Sequence, residues 1–329
     1  MIREVARLGT TQPSFAVAAE TLERLGRVSM SAATVWRQHK MVSERVQREL
    51  EKQEGDAPQE LKWEEGAMQW IAPEGAIEGH ASVSVDGGLI QIRGEGYREV
   101  KVVSVSEVEE GEGEGRIKLK AHSYRAVLGD KETFELAFKG ELGRRRVGQA
   151  EKITTVNDGA EWIWDLVGKH LPAKCVEVLD WPHMLENLAK AAHAGLGEGS
   201  PEARRWLEER EKELWMGELM AVDIALHRLP RRYKERGRTI RRVQEYLDRH
   251  WVRLAYPRFR AEKRPISSGT VESAIRNVVQ WRMKRGGQRW SRSGAARMLA
   301  ALGEVHSRRW DAMLQRLALP PMRQTYPQF

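Results

Sequence analysis

The sequence predicts an α/β fold, a mixed β-sheet surrounded by helices, and three observations support this prediction. First, alternating apolar and polar residues indicate three consecutive strands, at 82–86, 98–106 and 116–127. Second, short apolar runs at 152–157 and 175–179 are each followed by a helical pattern, which is typical of strands joined by crossover helices. Third, residues 200–264 show helical patterns throughout, which predicts an all-helical insertion.

Two helices are predicted before the sheet, one at residues 14–26 and one that ends near residue 50. A short turn joins them, and Arg37 and Lys40 lie on the second helix. The pair is similar to a helix-turn-helix DNA-binding segment, although a plain helical hairpin fits the same pattern. Residues 51–80 are rich in Glu, Gly and Pro, which predicts a mobile linker with short ordered pieces.

The first strand is predicted to end in an aspartate followed by two glycines. Val83 and Val85 share one face of this strand, and Asp86 lies on the other. A buried aspartate persists only where a cation or hydrogen-bond donors offset the loss of solvation. The following Gly87-Gly88 allows a bulky group to approach, although a simple hairpin turn fits the same residues.

Two later strands also end in aspartate. Residues 152–157 lead into Asp158, and residues 175–179 lead into Asp180, with His183 three residues further on. Asp180 has two interpretations. It caps the next helix with His183 packed beneath it, or it has a functional role, in which it either orients His183 or competes with Asp158 as a metal ligand.

A third carboxylate is available on the helix predicted for residues 267–285. Strand ends can be neighbours in such a sheet, so Asp86 and Asp158 are expected side by side, where their charges repel. Two Mg²⁺ ions, with Mn²⁺ as the expected substitute, would relieve this repulsion. Glu272 would complete a two-metal centre, although a first-turn glutamate favoured by the helix dipole is the plainer interpretation.

Composition limits the class of protein. The single cysteine, Cys175, excludes an internal disulfide framework, and no apolar run approaches the roughly 20 residues that span a bilayer. We therefore expect a cytoplasmic, nucleoid-associated protein with no membrane partner.

The charge is unevenly distributed along the chain. Residues 226–310 contain 23 Lys and Arg against six Asp and Glu, a balance of +17, so the rest of the chain carries −9. This asymmetry favours a polyanionic partner for the basic half.

These motifs together resemble the DDE transposases of bacterial insertion sequences, the Kra-type group with Mutator-like relatives. The resemblance covers most of the chain, from about residue 15 to about residue 305. The stretches that match are Val85-Asp86-Gly87-Gly88, Asn157-Asp158-Gly159-Ala160-Glu161-Trp162-Ile163-Trp164, Leu179-Asp180-Trp181-Pro182-His183, Gly269-Thr270-Val271-Glu272-Ser273 and Gln280-Trp281-Arg282-Met283-Lys284-Arg285-Gly286.

The resemblance implies an RNase-H-like catalytic core whose metal-binding triad is Asp86, Asp158 and Glu272. It implies that Asp180 and His183 form the Asp-x-x-His motif of Mutator-like enzymes. It further implies the segments 1–50 (helix-turn-helix-like), 51–80 (linker), 81–193 (first part of the core), 194–266 (helical basic insertion) and 267–329 (second part of the core with C-terminal basic helices).

The expected activity is Mg²⁺-dependent hydrolysis at element ends, followed by attack of the freed 3′ hydroxyl on target DNA. The expected partners are the terminal inverted repeats, target DNA and further copies of the chain on DNA. The alternatives are a catalytically inactive DNA-binding relative and an RNase-H-like nuclease that cuts without joining. The expected DNA contacts are Arg276, Arg282, Lys284, Arg285, Arg289, Arg292, Arg37 and Lys40. Of these, Lys284, Arg285, Arg289 and Arg292 lie around a glycine bend that suits phosphate contacts but also fits a solvated connection.

Overall fold

The computed structural model describes residues 1–64, 67–113, 116–231 and 234–318. Its centre is a five-stranded mixed sheet with the strand order β3-β2-β1-β4-β5. The first three strands are antiparallel neighbours, and β4 and β5 run parallel to β1. This confirms the predicted α/β fold. The strands are β1 (His80–Ile92), β2 (Gly96–Glu110), β3 (Ile117–Val127), β4 (Lys152–Asn157) and β5 (Val176–Leu179).

Helices precede the sheet, cross over it and fill the insertion. No helix in the described ranges is long and apolar enough to cross a bilayer. The Glu272 helix, residues 269–283, has a π-helical segment at Ile275–Gln280 between two α-helical ends. The α-helices are α1 (Ile2–Thr11), α2 (Phe15–Gly26), α3 (Ala32–Gly55), α4 (Lys131–Arg144), α5 (Glu161–His170), α6 (Trp181–Leu196), α7 (Pro201–Met216), α8 (Leu219–Arg228), α9 (Lys234–Arg249), α10 (Tyr256–Ala261), α11 (Gly269–Ala274), α12 (Trp281–Met283), α13 (Arg292–His306) and α14 (Trp310–Arg316).

The first strand is longer than predicted. It does not end at Asp86 but continues to Ile92, because β2 pairs with it along its whole length. The predicted strand end at Asp86 and the alternative of a hairpin turn directly after it are therefore both wrong, and the turn lies at residues 93–95. The parallel pairing with β4, however, stops at Val83. Asp86 thus lies where β1 separates from its parallel neighbour, in the middle of a continuing strand.

The alternation along β1 separates the two faces of the sheet as predicted. Val83 and Val85 pack in the core beneath α4 and α5. The opposite face of β1 and β2 is covered by the Glu272 helix, while α6 and the insertion cover β4 and β5. A Cβ at Gly88 would lie 3.1 Å from Ile275 Cγ2, so the glycine lets the Glu272 helix pack closely on β1.

The insertion is helical in its described part, as predicted; residues 232 and 233 of it lie outside that part. Its apolar side chains form a core with α6 and with the outer strands. Some of its arginines stack on tryptophans of the same domain, with Arg260 3.6 Å from the Trp215 ring centre. Aromatic and cationic residues in this region therefore serve partly to hold the helices together.

The predicted linker is packed rather than mobile in its described part, residues 51–64 and 67–80. The helix α3 extends into it as far as Gly55, and Leu61, Met68, Ile71 and Ile77 are buried. Sequence analysis missed this packing because these apolar residues follow neither a helical nor a strand period.

A buried ion network fixes α3 to the core. Arg125 on β3 donates to both carboxylate oxygens of Glu54, at 2.6 and 2.9 Å. Burial alone would raise the pKa of Glu54, but Arg125 and Arg144 hold that pKa below its ordinary value. A second group continues the network, in which Arg309 pairs with Glu141. The N-terminal helices are consequently part of one packed body with the sheet, and α1 and α3 both contact α13.

Candidate active site

Asp86 lies on the sheet face beneath the Glu272 helix. Its Oδ1 accepts a hydrogen bond from the Gly87 amide at 2.6 Å. Partial burial and the negative charges of Asp158 and Glu272 together raise the pKa of Asp86 to about 6, against the opposing effects of the Gly87 hydrogen bond and of His183. The ionised carboxylate is therefore costly in this position, and a bound cation would stabilise it.

Asp158 follows β4 on a turn that is fixed by the side chain of Asn157 and by the Asp158 carboxylate itself. The Oδ1 of Asn157 accepts a hydrogen bond from the Val85 amide at 2.7 Å, which ties the end of β4 to β1 where the parallel pairing has stopped. The Oδ1 of Asp158 accepts from the Ala160 amide at 2.9 Å. The strand end is thereby positioned beside Asp86.

The insertion closes over the turn that carries Asp158. A Cβ at Gly159 would lie 2.0 Å from Tyr246 Cε2, so only glycine allows Tyr246 of α9 to pack there. Sequence reasoning missed both Asn157 and Tyr246. A polar residue at the end of an apolar strand was a usable signal for the first; nothing local connects Tyr246 with a turn so distant in the sequence.

Asp180 is fully buried and joins two elements that are distant in sequence. Its Oδ2 accepts from the His183 amide at 3.0 Å, which caps α6 as one of the two interpretations expected. Its Oδ1 accepts from the amide of Ser268, the residue immediately before the Glu272 helix. Ser268 Oγ in turn donates to Glu272 Oε1 at 3.3 Å. The buried carboxylate therefore positions the start of the helix that carries Glu272.

His183 is oriented by the same carboxylate. Its Nδ1 donates to Asp180 Oδ2 at 2.6 Å, and this bond raises the pKa of His183 to about 9 against the opposing effect of burial. Burial would raise the pKa of Asp180, but the hydrogen bonds from His183 and Ser268 hold it below its ordinary value. The side chain of His183 is 33% exposed. It is a cationic donor at neutral pH, beside the carboxylates and open to a ligand.

The structure brings the predicted residues to one place, but with an unequal spacing. Within the described ranges, the group with mutual donor-atom distances under 4.8 Å is Asp180, His183 and Glu272. Asp86 and Asp158 lie outside this group, near enough for their charges to act on the same residues. Both oxygens of Asp180 already accept hydrogen bonds, so that carboxylate is poorly placed to be a ligand.

The remaining donors fit a hard divalent cation. Asp86, Asp158 and Glu272 each use one oxygen in a local hydrogen bond. The second oxygen of each accepts no hydrogen bond from the described part of the chain, and carboxylate oxygens are the ligands that Mg²⁺ and Mn²⁺ prefer. The three side chains are thus the residues that could hold such ions.

The expected DNA contacts are divided by their exposure, and one of them is corrected. Arg282 is only 1% exposed, stacks on the Phe15 and Trp290 rings and donates to the Gly9 carbonyl oxygen, so it cannot contact DNA. Arg292 is exposed but forms an ion pair with Glu95 at 2.6 Å. The exposed cations are Arg37, Arg276, Lys284, Arg285 and Arg289, and Lys40 is half-buried against Trp36.

A groove of about 410 Å³ runs between α3 and the start of α13 and brings together Lys40, Arg289 and Trp36. The loop that carries Arg289 is attached to the end of β1, because the Trp290 amide donates to Gln91 O at 3.1 Å. Cations and aromatic rings along one groove suit a nucleic-acid strand. The cationic groove therefore combines residues that the sequence placed in separate segments.

No model of a protein family matches this chain. No curated protein matches it either. Its function is therefore argued from the geometry of the site.

We predict that Asp180→Asn lowers the pKa of His183 from about 9 toward its ordinary value of 6.5, by roughly one unit or more. A raised histidine pKa stabilises the fold fully below pH 6.5, and this contribution is lost as the pH rises through 9. The stability difference between wild type and Asp180→Asn should therefore shrink across that interval. NMR titration of the histidine ring protons measures the first effect, and urea unfolding at several pH values measures the second.

Asp223→Asn is the matched control, because Asp223 pairs with the exposed His227 at 3.3 Å on a different helix. This variant should leave the His183 midpoint unchanged. An unchanged midpoint in Asp180→Asn would show that Asp180 does not control the protonation of His183.

Proposed function

We propose that the chain is a DNA transposase with an RNase-H-like core that cuts and joins DNA strands with divalent metal ions. The observation that carries this proposal is the convergence of Asp86, Asp158 and Glu272 on one sheet face from three elements. The first acid lies on β1, the second follows β4, and the third lies on a helix that returns after a long helical insertion. That order of acids and elements is the one that the sequence motifs predict.

The three carboxylates would hold two Mg²⁺ ions, for which Mn²⁺ substitutes. Bound there, the ions would activate the attacking oxygen and stabilise the leaving oxygen at the scissile phosphate. His183 holds its Nδ1 proton against Asp180, which leaves Nε2 to donate to a phosphate oxygen. Asp180 acts as a positioning residue, since it contacts His183 and the start of the Glu272 helix.

The substrate in this proposal is duplex DNA at the ends of a mobile element, followed by target DNA. The exposed cations around residues 276–289 and the cationic groove provide contacts for the phosphate backbone. Joining two element ends to one target needs two active sites, so we propose that copies of the chain assemble on DNA.

Glu272→Gln tests the catalytic role of the acids. We expect cleavage of labelled DNA that carries the element ends to fall at least about 100-fold in Mg²⁺ or Mn²⁺, because a metal ligand and its charge are lost. DNA affinity should change little, since Glu272 is not a DNA contact. The assay is gel analysis of nicked and joined products, with fluorescence anisotropy for binding.

Glu245→Gln is the matched control, because Glu245 is an exposed glutamate on α9. It should retain wild-type cleavage. A loss of binding in Glu272→Gln in proportion to the loss of cleavage would contradict the assigned role. Cut products without joined products in the wild type would support the nuclease alternative, and binding without cleavage would support the inactive relative.

Arg289→Ala and Arg292→Ala test the cationic groove as a matched pair, one from the loop before α13 and one from the first residue of α13. Arg289 is exposed and forms no ion pair with the described residues, whereas Arg292 is paired with Glu95. We expect Arg289→Ala to weaken DNA binding several-fold and to reduce the slope of log K against log salt by about 1. Arg292→Ala should have a smaller effect. Equal effects, or a wild-type affinity that does not depend on salt, would contradict a phosphate contact in the groove.

A further inference from the structure

A second cationic pocket lies on the other flank of the Glu272 helix. It has a volume of about 570 Å³ and lies between β3, the Glu272 helix and the end of α13. We call it the β3 pocket, and the residues that matter for its chemistry are Lys120, His122, Tyr124, Arg145, Asn277 and Arg308. Sequence analysis assigned none of these residues to DNA.

Arg145 is the unusual member of this pocket. It is 6% exposed, yet its guanidinium forms no ion pair and no hydrogen bond with the described residues, and its Nε is buried without a partner. Three other deeply buried arginines, Arg125, Arg144 and Arg309, each pair with a glutamate. A fourth, Arg282, has no ion pair among the described residues, but it stacks on two aromatic rings and donates to a backbone carbonyl oxygen. Because a buried unpaired charge is destabilising, an anion bound from outside the chain would stabilise Arg145.

The nearby carboxylates do not meet this need. Glu107 is near enough to act on Arg145, but its carboxylate lies 3.8 Å from Lys120. Lys120 also pairs with Glu109 at 3.2 Å. Glu141 is already paired with Arg309. The acids around the pocket are therefore engaged with other cations.

The rest of the pocket supplies fixed donors and a flat surface. Arg308 is exposed and forms no ion pair within the described ranges, so two guanidinium groups are available. Asn277 is fixed on the Glu272 helix by a 2.9 Å bond to Ser273. The rings of His122 and Tyr124 stack at 6.3 Å. Planar guanidinium groups match the oxygens of a phosphate, and the volume leaves room for the attached sugar and base.

We propose that the β3 pocket binds a phosphate group of a polynucleotide strand, held by Arg145 and Arg308. The pocket and the acidic site flank the same helix, since Ser273 of the pocket directly follows Glu272. A strand that crosses this helix would therefore reach both. The choice of a polynucleotide rests on the proposed function, whereas the binding of phosphate follows from the pocket alone.

The first experiment uses inorganic phosphate and the full chain. Titration with phosphate should shift the NMR resonance of the Arg145 Nε–H group, whereas chloride at matched ionic strength should leave that resonance in place. The resonance is identified by its absence from the spectrum of Arg145→Met. Arg308→Ala, an exposed change that should fold normally, should weaken this phosphate affinity roughly 3- to 10-fold. The control Arg204→Ala, an exposed arginine on α7 outside the pocket, should leave it unchanged. Absence of any phosphate-dependent shift would overturn the proposal.

The second experiment measures DNA affinity of the same variants. Arg308→Ala should bind DNA several-fold more weakly, with a salt slope reduced by about 1. If Arg308→Ala has a lower phosphate affinity but the same DNA affinity as the wild type, the ligand is a free phosphate compound. The polynucleotide assignment is then overturned. If the wild type shifts with phosphate but binds no DNA, the proposed function fails, and the phosphate site remains.

Discussion

The site depends on one buried carboxylate. Asp180 accepts hydrogen bonds from two backbone amides. One belongs to His183 at the start of α6, and the other to Ser268, 88 residues after Asp180, at the start of the Glu272 helix. The helical insertion separates these two points in sequence, so this link and the packing of Val271 and Ile275 on the sheet position Glu272. A second bond, from the Trp181 amide to Ile266 O at 2.9 Å, supports the link.

The distribution of buried charge distinguishes structural ion pairs from the candidate site. In the core, Arg125 and Arg309 are matched by glutamates at hydrogen-bond distance. On the sheet face, by contrast, Asp86 sits in a partly buried position that raises its pKa, with further negative charges nearby. Glutamates pair with Arg125 and Arg309 in the core, whereas carboxylates lie together here, and this contrast favours a cationic ligand at this point. Arg145 is the opposite case, a buried cation that has no anionic partner among the described residues.

Local patterns were sufficient where local forces decide the structure. The alternation in β1 and the cap at Asp180 follow from the period of a strand and from helix-end chemistry, and the structure has both. The end of β1 was mispredicted because Asp-Gly-Gly favours a turn, whereas pairing with β2 overrides that preference. The burial of Arg282 and the contact of Tyr246 with Gly159 depend on residues far away in sequence, so no local pattern reveals them.

The central claim is that Asp86, Asp158 and Glu272 hold metal ions, while Asp180 positions His183 and the helix that carries Glu272. Anomalous diffraction from crystals grown with Mn²⁺ tests this most directly. Our account predicts anomalous peaks bounded by the oxygens of these three acids, with the bonds from Asp180 to His183 and Ser268 intact. A peak ligated by Asp180 and His183, or no peak on this sheet face, would contradict it.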